Sequence, residues 1–213
     1  MSQTIAILDY SMGNLHSVAK ALEHVAGPGD RIRVTDDAAA IAAADRIVFP
    51  GQGAARDCMA AIDRHRLREP ILEAAAHKPF LGICMGLQVL LHHSEENGGT
   101  GLLGLFPGEV RHLSLGREAD GQPIKIPHMG WNRVRQTRAH PLWAGIPDGS
   151  RFYFVHSYYV DPEDRTLTAG ETAHGRVFTC AIGRDNLFAI QFHPEKSAEH
   201  GLRLLHNFIR WSP

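Results

Sequence analysis

Gly82-Ile83-Cys84-Met85-Gly86-Leu87-Gln88 is the stretch that decides the fold, because it joins a strand-like run to a helix-like run through one sharp turn. The glycines two residues either side of Cys84 remove side chains that would collide with neighbouring backbone, and they tolerate strained angles. The pattern predicts a nucleophile elbow that exposes a thiol, and amides at the start of the following helix favour the reactive thiolate. The alternative is a buried structural cysteine at the end of a core strand, which the two glycines disfavour.

Other apolar runs extend this strand-turn-helix pattern towards the N-terminus. Residues 4–10, 46–50 and 78–84 are continuous apolar runs, typical of strands covered on both faces of a parallel sheet. Helix-like stretches lie between them, one with Asn14 and another with Asp37 as the predicted N-cap. The first half of the chain therefore predicts βαβ units around a parallel sheet.

The second half has a different pattern. Residues 151–160 are aromatic and rich in β-formers, and residues 177–182 and 187–192 flank Gly183-Arg184-Asp185-Asn186, a hairpin signal. We therefore expect antiparallel strands to extend or flank the parallel core.

Two further features concern the C-terminal helix and the middle of the chain. Ser197 is predicted to cap a last helix whose apolar stripe docks on the sheet. Residues 95–125, with 116–123 as their least structured part, are interpreted as a surface loop within the domain. No repeat or low-complexity tract is evident.

The length, composition and net charge of the chain indicate an ordinary globular protein. With 213 residues, 44% hydrophobic and 21% charged, the chain is best interpreted as one domain over residues 1–213. A net charge of -1 offers no basic face for nucleic acid and no polybasic patch for a membrane. The three cysteines lack CxxC spacing, so neither a disulfide framework nor a cysteine zinc site is indicated. With no signal peptide or membrane span in the N-terminal residues, these features predict a cytoplasmic protein.

A cysteine nucleophile needs a base that also returns a proton to the leaving group. Histidine suits this role, and fourteen histidines compete for it. In His193-Pro194-Glu195 the imidazole follows a core strand, Pro194 ends that strand, and the carboxylate can reach the same ring. We therefore predict Cys84 as nucleophile, His193 as base and acid, and Glu195 as the group that orients the ring.

Acyl transfer also requires hydrogen-bond donors for the oxyanion. Pro50-Gly51-Gln52-Gly53 ends a strand parallel to the one that carries Cys84. Its backbone N–H groups are therefore expected at the same sheet edge as the N–H of Met85.

Two rival kinds of site are disfavoured by the sequence. A dinucleotide loop would need a third glycine where Arg56 stands. A metal site has suitable atom types at His92, His93, Glu95 and Glu96, but consecutive helical residues point in different directions, so solvated charge is favoured.

The elbow together with His193-Pro194-Glu195 resembles the class I, triad-type glutamine amidotransferases. Three further stretches resemble the glutaminase subunits of imidazole glycerol phosphate synthase, an enzyme of histidine biosynthesis. They are Asp9-Tyr10-Ser11-Met12-Gly13-Asn14, Pro127-His128-Met129-Gly130-Trp131-Asn132 and Tyr153-Phe154-Val155-His156-Ser157-Tyr158. The resemblance runs essentially from end to end and departs at Ser11, where glycine is common in the family.

The resemblance implies a flavodoxin-like α/β fold with a mostly parallel sheet, helices on both faces and added antiparallel strands in the C-terminal half. It implies hydrolysis of glutamine to glutamate and ammonia through a cysteine thioester, with no cofactor and no metal. The ammonia would pass to a separate (β/α)₈ cyclase subunit of a heterodimer, which makes imidazole glycerol phosphate and an aminoimidazole carboxamide ribotide.

The resemblance also implies roles for particular residues. The triad is Cys84, His193 and Glu195, and the oxyanion hole is Gly51, Gln52 and Gly53 with Met85. Gln88 and the backbone around Ser157 and Tyr158 would hold glutamine, while Asn14, Trp131, Tyr153 and Lys196 would face the cyclase.

Three rivals remain open at this point. The glutaminase of pyridoxal phosphate synthase shares the triad, although residues 127–132 argue against it. A binding module that lost the chemistry would not need an intact Cys, His and Glu set. A cysteine peptidase could use the same elbow without a site for glutamine.

Overall fold

A computed structural model describes residues 2–113, 121 and 124–213 of the chain. The strands are β1 (Thr4–Leu8), β2 (Arg31–Thr35), β3 (Arg46–Gly51), β4 (Phe80–Cys84), β5 (His93–Ser94), β6 (Thr100–Gly101), β7 (Gly108–His112), β8 (His128–Arg133), β9 (Arg135–Gln136), β10 (Arg151–His156), β11 (Tyr158–Pro162), β12 (Thr168–Ala173), β13 (Val177–Arg184) and β14 (Leu187–Ile190). The α-helices are α1 (Leu15–Val25), α2 (Ala38–Ala43), α3 (Ala55–Arg64), α4 (Arg68–His77), α5 (Met85–Gln88) and α6 (Ala198–Arg210).

The main sheet has a parallel half and an antiparallel half. Its order is β2-β1-β3-β4-β14-β13-β11-β7-β5-β6, with β12 and β9 branching from β13, and β8 with β10 forms a separate antiparallel pair. The pairs from β2 through β14 are parallel, whereas the 183–186 hairpin makes β13 antiparallel to β14. The predicted α/β fold, with a parallel core and added antiparallel strands, is confirmed.

Helices cover both faces of the sheet because successive residues of the central strands point to opposite faces and are apolar on each face. In β1, Ala6 and Leu8 pack in the cluster that includes α2, α3 and α4, while Ile5 and Ile7 pack in the cluster that includes α1 and α6. This two-sided burial is the reason for the continuous apolar runs in the sequence. Among the described residues, no helix is long and apolar enough to cross a membrane.

The predicted caps of α1 and α2 are confirmed, but that of α6 is wrong. Asn14 and Asp37 accept hydrogen bonds from N–H groups of the first helical turns. Ser197 precedes α6 with φ -108 and ψ 28, outside the extended conformation that lets a serine cap a helix. Its hydroxyl instead donates to the carbonyl of His193 (2.6 Å) and accepts from the N–H of Tyr153 (2.9 Å).

The interpretation of residues 95–125 as a surface loop is wrong for its central part. Strand β7 lies inside the main sheet between β5 and β11, and Phe106 and Val110 are fully buried in the core. Residues 116–123, predicted to be the least structured, lie outside the described residues except for Gly121. The polar and glycine-rich composition of the segment obscured a strand of only five residues.

Candidate active site

Cys84 stands on a strained turn at the carboxyl end of β4. Its φ of 57° and ψ of -109° lie in a region that side chains with a Cβ seldom adopt. A Cβ on Gly86 would lie 1.7 Å from the carbonyl oxygen of Phe49, and one on Gly82 would lie 2.7 Å from that of Gly86. Both glycines are therefore required by close backbone approach, as the sequence predicts. Such strain costs about 1–3 kcal/mol and persists mainly at functional sites.

The helix after Cys84 is short, since α5 is a single turn over Met85–Gln88. A single turn has few aligned peptide dipoles. Positive charge to stabilise a thiolate must therefore come mainly from a side chain.

His193 can supply that positive charge, and Glu195 stabilises it; both residues lie in the segment after β14. Pro194 begins a 3-10 turn at which the chain folds back, and Nδ1 of His193 donates to Oε1 of Glu195 at 2.8 Å. The Glu195 side chain is almost fully buried. Burial alone would lower the pKa of His193, but the adjacent Cys84 and the Glu195 carboxylate outweigh it and raise that pKa to about 10. The imidazolium is therefore the form of His193 that this environment favours.

The other ring nitrogen of His193, Nε2, remains available for a proton transfer. Nε2 is buried and forms no well-aligned hydrogen bond among the described residues. Its neighbour is the thiol of Cys84, whose proximity contributes to the raised pKa. The three residues predicted as nucleophile, proton carrier and orienting carboxylate therefore meet, although they come from residues 84 and 193–195.

The predicted oxyanion loop lies beside Cys84. Gly51 is opposite Cys84 in the β3–β4 register, and Gln52, Gly53 and Met85 line the same cavity as the thiol. A Cβ on Gly51 would lie 2.1 Å from the hydroxyl of Tyr10, so a side chain cannot be accommodated there. Gly53 has a φ of +94°, which glycine adopts without strain.

Two buried side chains bind carbonyls of this loop. The hydroxyl of Tyr10 donates to the carbonyl of Pro50 at 2.9 Å, and the thiol of Cys58 donates to that of Gln52 at 3.4 Å. Burial raises the pKa of Cys58 to about 12, so it remains a neutral donor. Because these carbonyls face the core, the loop is anchored on both sides of the Gly51–Gln52 peptide.

The thiol opens into a cavity of about 650 Å³. Its lining includes Cys84, His193, Gln88, Ser157, Tyr158 and Glu96. The predicted residues for glutamine, Gln88 with Ser157 and Tyr158, thus line the same cavity as Cys84 and His193.

Gln88 is held in one orientation within this cavity wall. Its Nε2 donates to the carbonyl of Tyr158 at 3.0 Å and to Oε1 of Gln191 at 2.9 Å, so both of its N–H groups are used. Nε2 of Gln191 in turn donates to the sulfur of Cys84 at 3.7 Å. The carbonyl oxygen of Gln88 remains as an acceptor for a ligand.

Gln191 and Glu96 are two residues of the site that sequence reasoning missed. Gln191 is a polar residue within the buried run 187–192, which was an available signal. The sequence predicts solvated charge at Glu96, but this residue lines the cavity, and one of its oxygens accepts from the N–H of Ala55 at 2.7 Å. It is the one carboxylate side chain on the described lining of the cavity.

Two other members of the rejected metal set, His93 and Glu95, make contacts of their own. His93 pairs with Glu109 at 2.9 Å, and a carboxylate oxygen of Glu95 accepts from the N–H of His112. His93, Glu95 and Glu96 therefore make separate contacts.

The residues predicted to face a partner lie beside this cavity. Trp131 is 49% exposed on β8, opposite Tyr153 on β10, and their ring centroids are 6.2 Å apart. Nζ of Lys196 lies 5.9 Å from the centre of the Tyr153 ring, and Asn14 lines a small crevice with Lys196. Met129, 62% exposed on the same strand, extends the apolar surface. We call Met129, Trp131, Tyr153 and Lys196 the β8 face.

Comparisons with known proteins identify the family of the chain. The model of the family described as glutamine amidotransferase class-I matches residues 6–211. The chain is 58% identical to the imidazole glycerol phosphate synthase subunit HisH of Dechloromonas aromatica (strain RCB), over 99% of this chain and 98% of that protein. It is 55% identical to the HisH subunit of Pseudomonas putida (strain KT2440), over 98% of each chain.

Solved structures with low sequence identity share the fold. PurLQS from Thermotoga maritima superposes with a TM-score of 0.73 at 18% identity, covering 99% of each chain. The glutaminase domain of CTPS from Trypanosoma brucei gives a TM-score of 0.59 at 16% identity, covering 100% of this chain and 96% of that one.

Proposed function

We propose that this chain hydrolyses glutamine through Cys84 and supplies the ammonia to a cyclase. The premise is that the chain belongs to the class-I glutamine amidotransferase family, and within it to the HisH subunits of imidazole glycerol phosphate synthase. It is therefore a glutaminase of histidine biosynthesis. The observation that supports this mechanism most strongly is the meeting of a strained, cavity-facing thiol with the His193–Glu195 pair. The proposal includes one domain over residues 1–213 and a cytoplasmic location.

The reaction proceeds in two halves. The Cys84 thiolate attacks the side-chain carboxamide carbon of glutamine, and the carbonyl electrons move onto its oxygen. As the tetrahedral intermediate collapses, His193 donates its Nε2 proton to the leaving nitrogen, so ammonia departs and a glutamyl thioester remains. His193, now neutral, removes a proton from water, which attacks the thioester and releases glutamate and the thiolate.

The oxyanion of each tetrahedral intermediate is stabilised by backbone N–H groups. The donors are those of the Gly51–Gly53 loop and of Met85 at the start of α5. Donors aimed at a developing oxyanion contribute about 2.7–4 kcal/mol each. We further propose that the Gly51–Gln52 peptide directs its N–H to the oxyanion only when the partner is bound. Gly51 and Gly53, on either side of Gln52, permit this peptide to rotate, while the carbonyls of Pro50 and Gln52 stay anchored.

Glutamine is recognised by charge and amide groups of the cavity. The acceptor oxygen of Gln88 and the carboxylate of Glu96 suit the N–H groups of the substrate, and the backbone around Ser157 and Tyr158 completes the site. A buried charge-assisted hydrogen bond contributes about 1.5–3 kcal/mol. Glu96, as a carboxylate, is assigned to the α-ammonium group.

Replacing Glu96 with Gln tests this assignment. The amide keeps the shape and an acceptor for the N–H of Ala55 but removes the charge, so we expect the KM for glutamine to rise by roughly tenfold. The kcat should change much less, because the ammonium is remote from the reacting carbon. Steady-state kinetics of the complex measure both values. An unchanged KM would remove Glu96 from glutamine binding.

The partner is a (β/α)₈ cyclase subunit, and the β8 face with Asn14 is its docking surface. Exposed aromatic and sulfur-containing residues are common in interfaces, and Trp131 offers its ring to a cation of the partner. This face adjoins the oxyanion loop through the crevice that Asn14 shares with Gly51 and Lys196. Docking there can therefore act on the loop.

Stimulation by the partner tests the proposal as a whole. We expect the isolated chain to hydrolyse glutamine slowly and the complex with cyclase ligand to be faster by at least about 10²–10³-fold, the effect of one oxyanion donor. Trp131→Ala should reduce this stimulation. Val34→Ala, at an exposed valine of edge strand β2, is the matched control and should not. Equal rates for the isolated chain and the liganded complex would refute the gated oxyanion hole.

A further inference from the structure

Two buried histidines beside the cavity take no part in the mechanism above. His128 on β8 and His156 at the end of β10 are 4% and 6% exposed and lie opposite each other in the strand register. Nδ1 of His128 is 2.8 Å from Nε2 of His156, and His156 lines the cavity that contains Cys84. A direct bond between two imidazoles requires one to donate and the other to accept, so their tautomers are coupled.

Backbone groups determine the direction of this bond at its cavity end. Nδ1 of His156 lies 2.7 Å from the carbonyl oxygen of Tyr158, which can only accept, so Nδ1 carries the proton. In a neutral ring Nε2 is then bare and accepts. His128 must therefore donate from Nδ1.

The contacts of His128 at the other end of the chain give the same direction for the bond between the two histidines. Nε2 of His128 is then bare, and Nδ2 of Asn132 lies 3.1 Å away as its donor. The Asn132 amide is oriented independently, because Nδ2 also donates to the carbonyl of Ala173 and Oδ1 accepts from the N–H of Arg133, each at 2.8 Å. A continuous chain of hydrogen bonds, all donated in the same direction, therefore runs from Asn132 through both histidines to Tyr158.

Both rings are neutral at ordinary pH, as this chain requires. Burial lowers the pKa of His128 to about 4, with a further contribution from His174 stacked on it. Burial also lowers the pKa of His156 to about 3, although its bond to Tyr158 opposes the shift. The other titratable groups that act on His156 are His128, His174 and His193, all of which disfavour a second charge.

The chain ends at the part of the backbone that lines the cavity. The bond from His156 to Tyr158 closes the bend at Ser157, where the polypeptide leaves the β8–β10 pair and enters the main sheet as β11. The same carbonyl accepts from Nε2 of Gln88. The carbonyl oxygen of Tyr158 therefore accepts two hydrogen bonds, and its position sets the orientation of the Gln88 amide.

We propose that His128 and His156 are positioning residues for glutamine, which fix the Ser157 bend and Gln88 through a one-directional hydrogen-bond chain. This inference rests on the proposed glutaminase function and adds residues to it. Neither histidine exchanges protons with the substrate, and both act on affinity more than on the chemical step.

Paired substitutions of His156 separate hydrogen bonding from packing. The amide nitrogen of Asn can occupy the position of Nδ1 and keep the bond to Tyr158, whereas that of Gln reaches the position of Nε2 and loses it. In the complex with its partner, we expect His156→Gln to raise the KM for glutamine by roughly three- to tenfold, the effect of one buried hydrogen bond. His156→Asn should stay closer to the wild-type KM. Alkylation of Cys84 by iodoacetamide should be similar in all three proteins.

A purely structural role predicts the reverse order. Asn leaves the larger void among Phe154, Phe178 and His128, so packing alone would make His156→Asn the more damaging change. That order, or an unchanged KM in both variants, would overturn the proposal. If His156→Gln does not fold, His128→Gln and His128→Asn provide the same comparison one bond further away, with Gln again expected to be worse. A wild-type complex without glutaminase activity would instead refute the proposed function itself.

Discussion

Cys84→Ala is expected to abolish glutamine hydrolysis while the protein remains folded and bound to its partner. In the proposed mechanism the sulfur is the nucleophile that forms the thioester, and removing a covalent nucleophile costs roughly 10⁴–10⁶-fold in rate. The thiol contributes little packing volume, and Cys84, although buried, lines the cavity. Glutamate release by the purified complex measures the effect.

Two controls accompany this prediction. Cys180→Ala changes a cysteine that is fully buried in β13, and it should retain glutaminase activity if the protein folds. Synthesis by the Cys84→Ala complex with externally supplied ammonia should persist, because we propose that the cyclase site is on the other chain. Glutaminase activity that survives in Cys84→Ala would exclude the thioester mechanism.

His193→Asn should lower the glutaminase rate by about 10²–10⁴-fold, the usual contribution of one general acid and base. Glu195→Gln should cost less, because the carboxylate orients and charges the ring but does not touch the substrate. Both variants should still support ammonia-dependent synthesis. If Glu195→Gln were the more damaging change, the two roles would have to be reversed.

The pH dependence of Glu195→Gln gives a second readout with a definite sign. The carboxylate helps to raise the pKa of His193, so its loss should let the imidazolium deprotonate at lower pH. Because the protonated ring is the acid that releases ammonia, the kcat/KM of the variant relative to wild type should fall as pH rises from about 7 to 9. Taking the ratio cancels ionisation of the substrate. A ratio that is constant with pH would mean that Glu195 does not influence the charge of His193.

The sequence identified the parts of the fold that local chemistry specifies. The glycines around Cys84 and the His-Pro-Glu segment have few alternative uses, and continuous apolar runs marked the central strands. Strand β2 was missed because it is an exposed edge strand with alternating arginines, in which burial does not impose an apolar run. Strand β7 was missed because its residues are polar on one face.

Other features depend on contacts between distant residues and could not be predicted. Ser197 resembles a helix cap in sequence but binds His193 and Tyr153 instead. Gln191 and Glu96 gain their importance only when the sheet brings them to the cavity of Cys84. Ser11, where the resemblance leads us to expect glycine, adopts a φ of 66°, a conformation that glycine would enter without strain.

Covalent labelling by a glutamine analogue with an electrophilic side-chain ketone tests the central claim most directly. The complex would be incubated with the analogue, digested and examined by mass spectrometry. We expect one equivalent of label on the peptide that contains Cys84, none on those with Cys58 or Cys180, and protection by glutamine but not by asparagine. Labelling elsewhere, or labelling of Cys84 that glutamine does not prevent, would contradict a glutamine site built around this thiol.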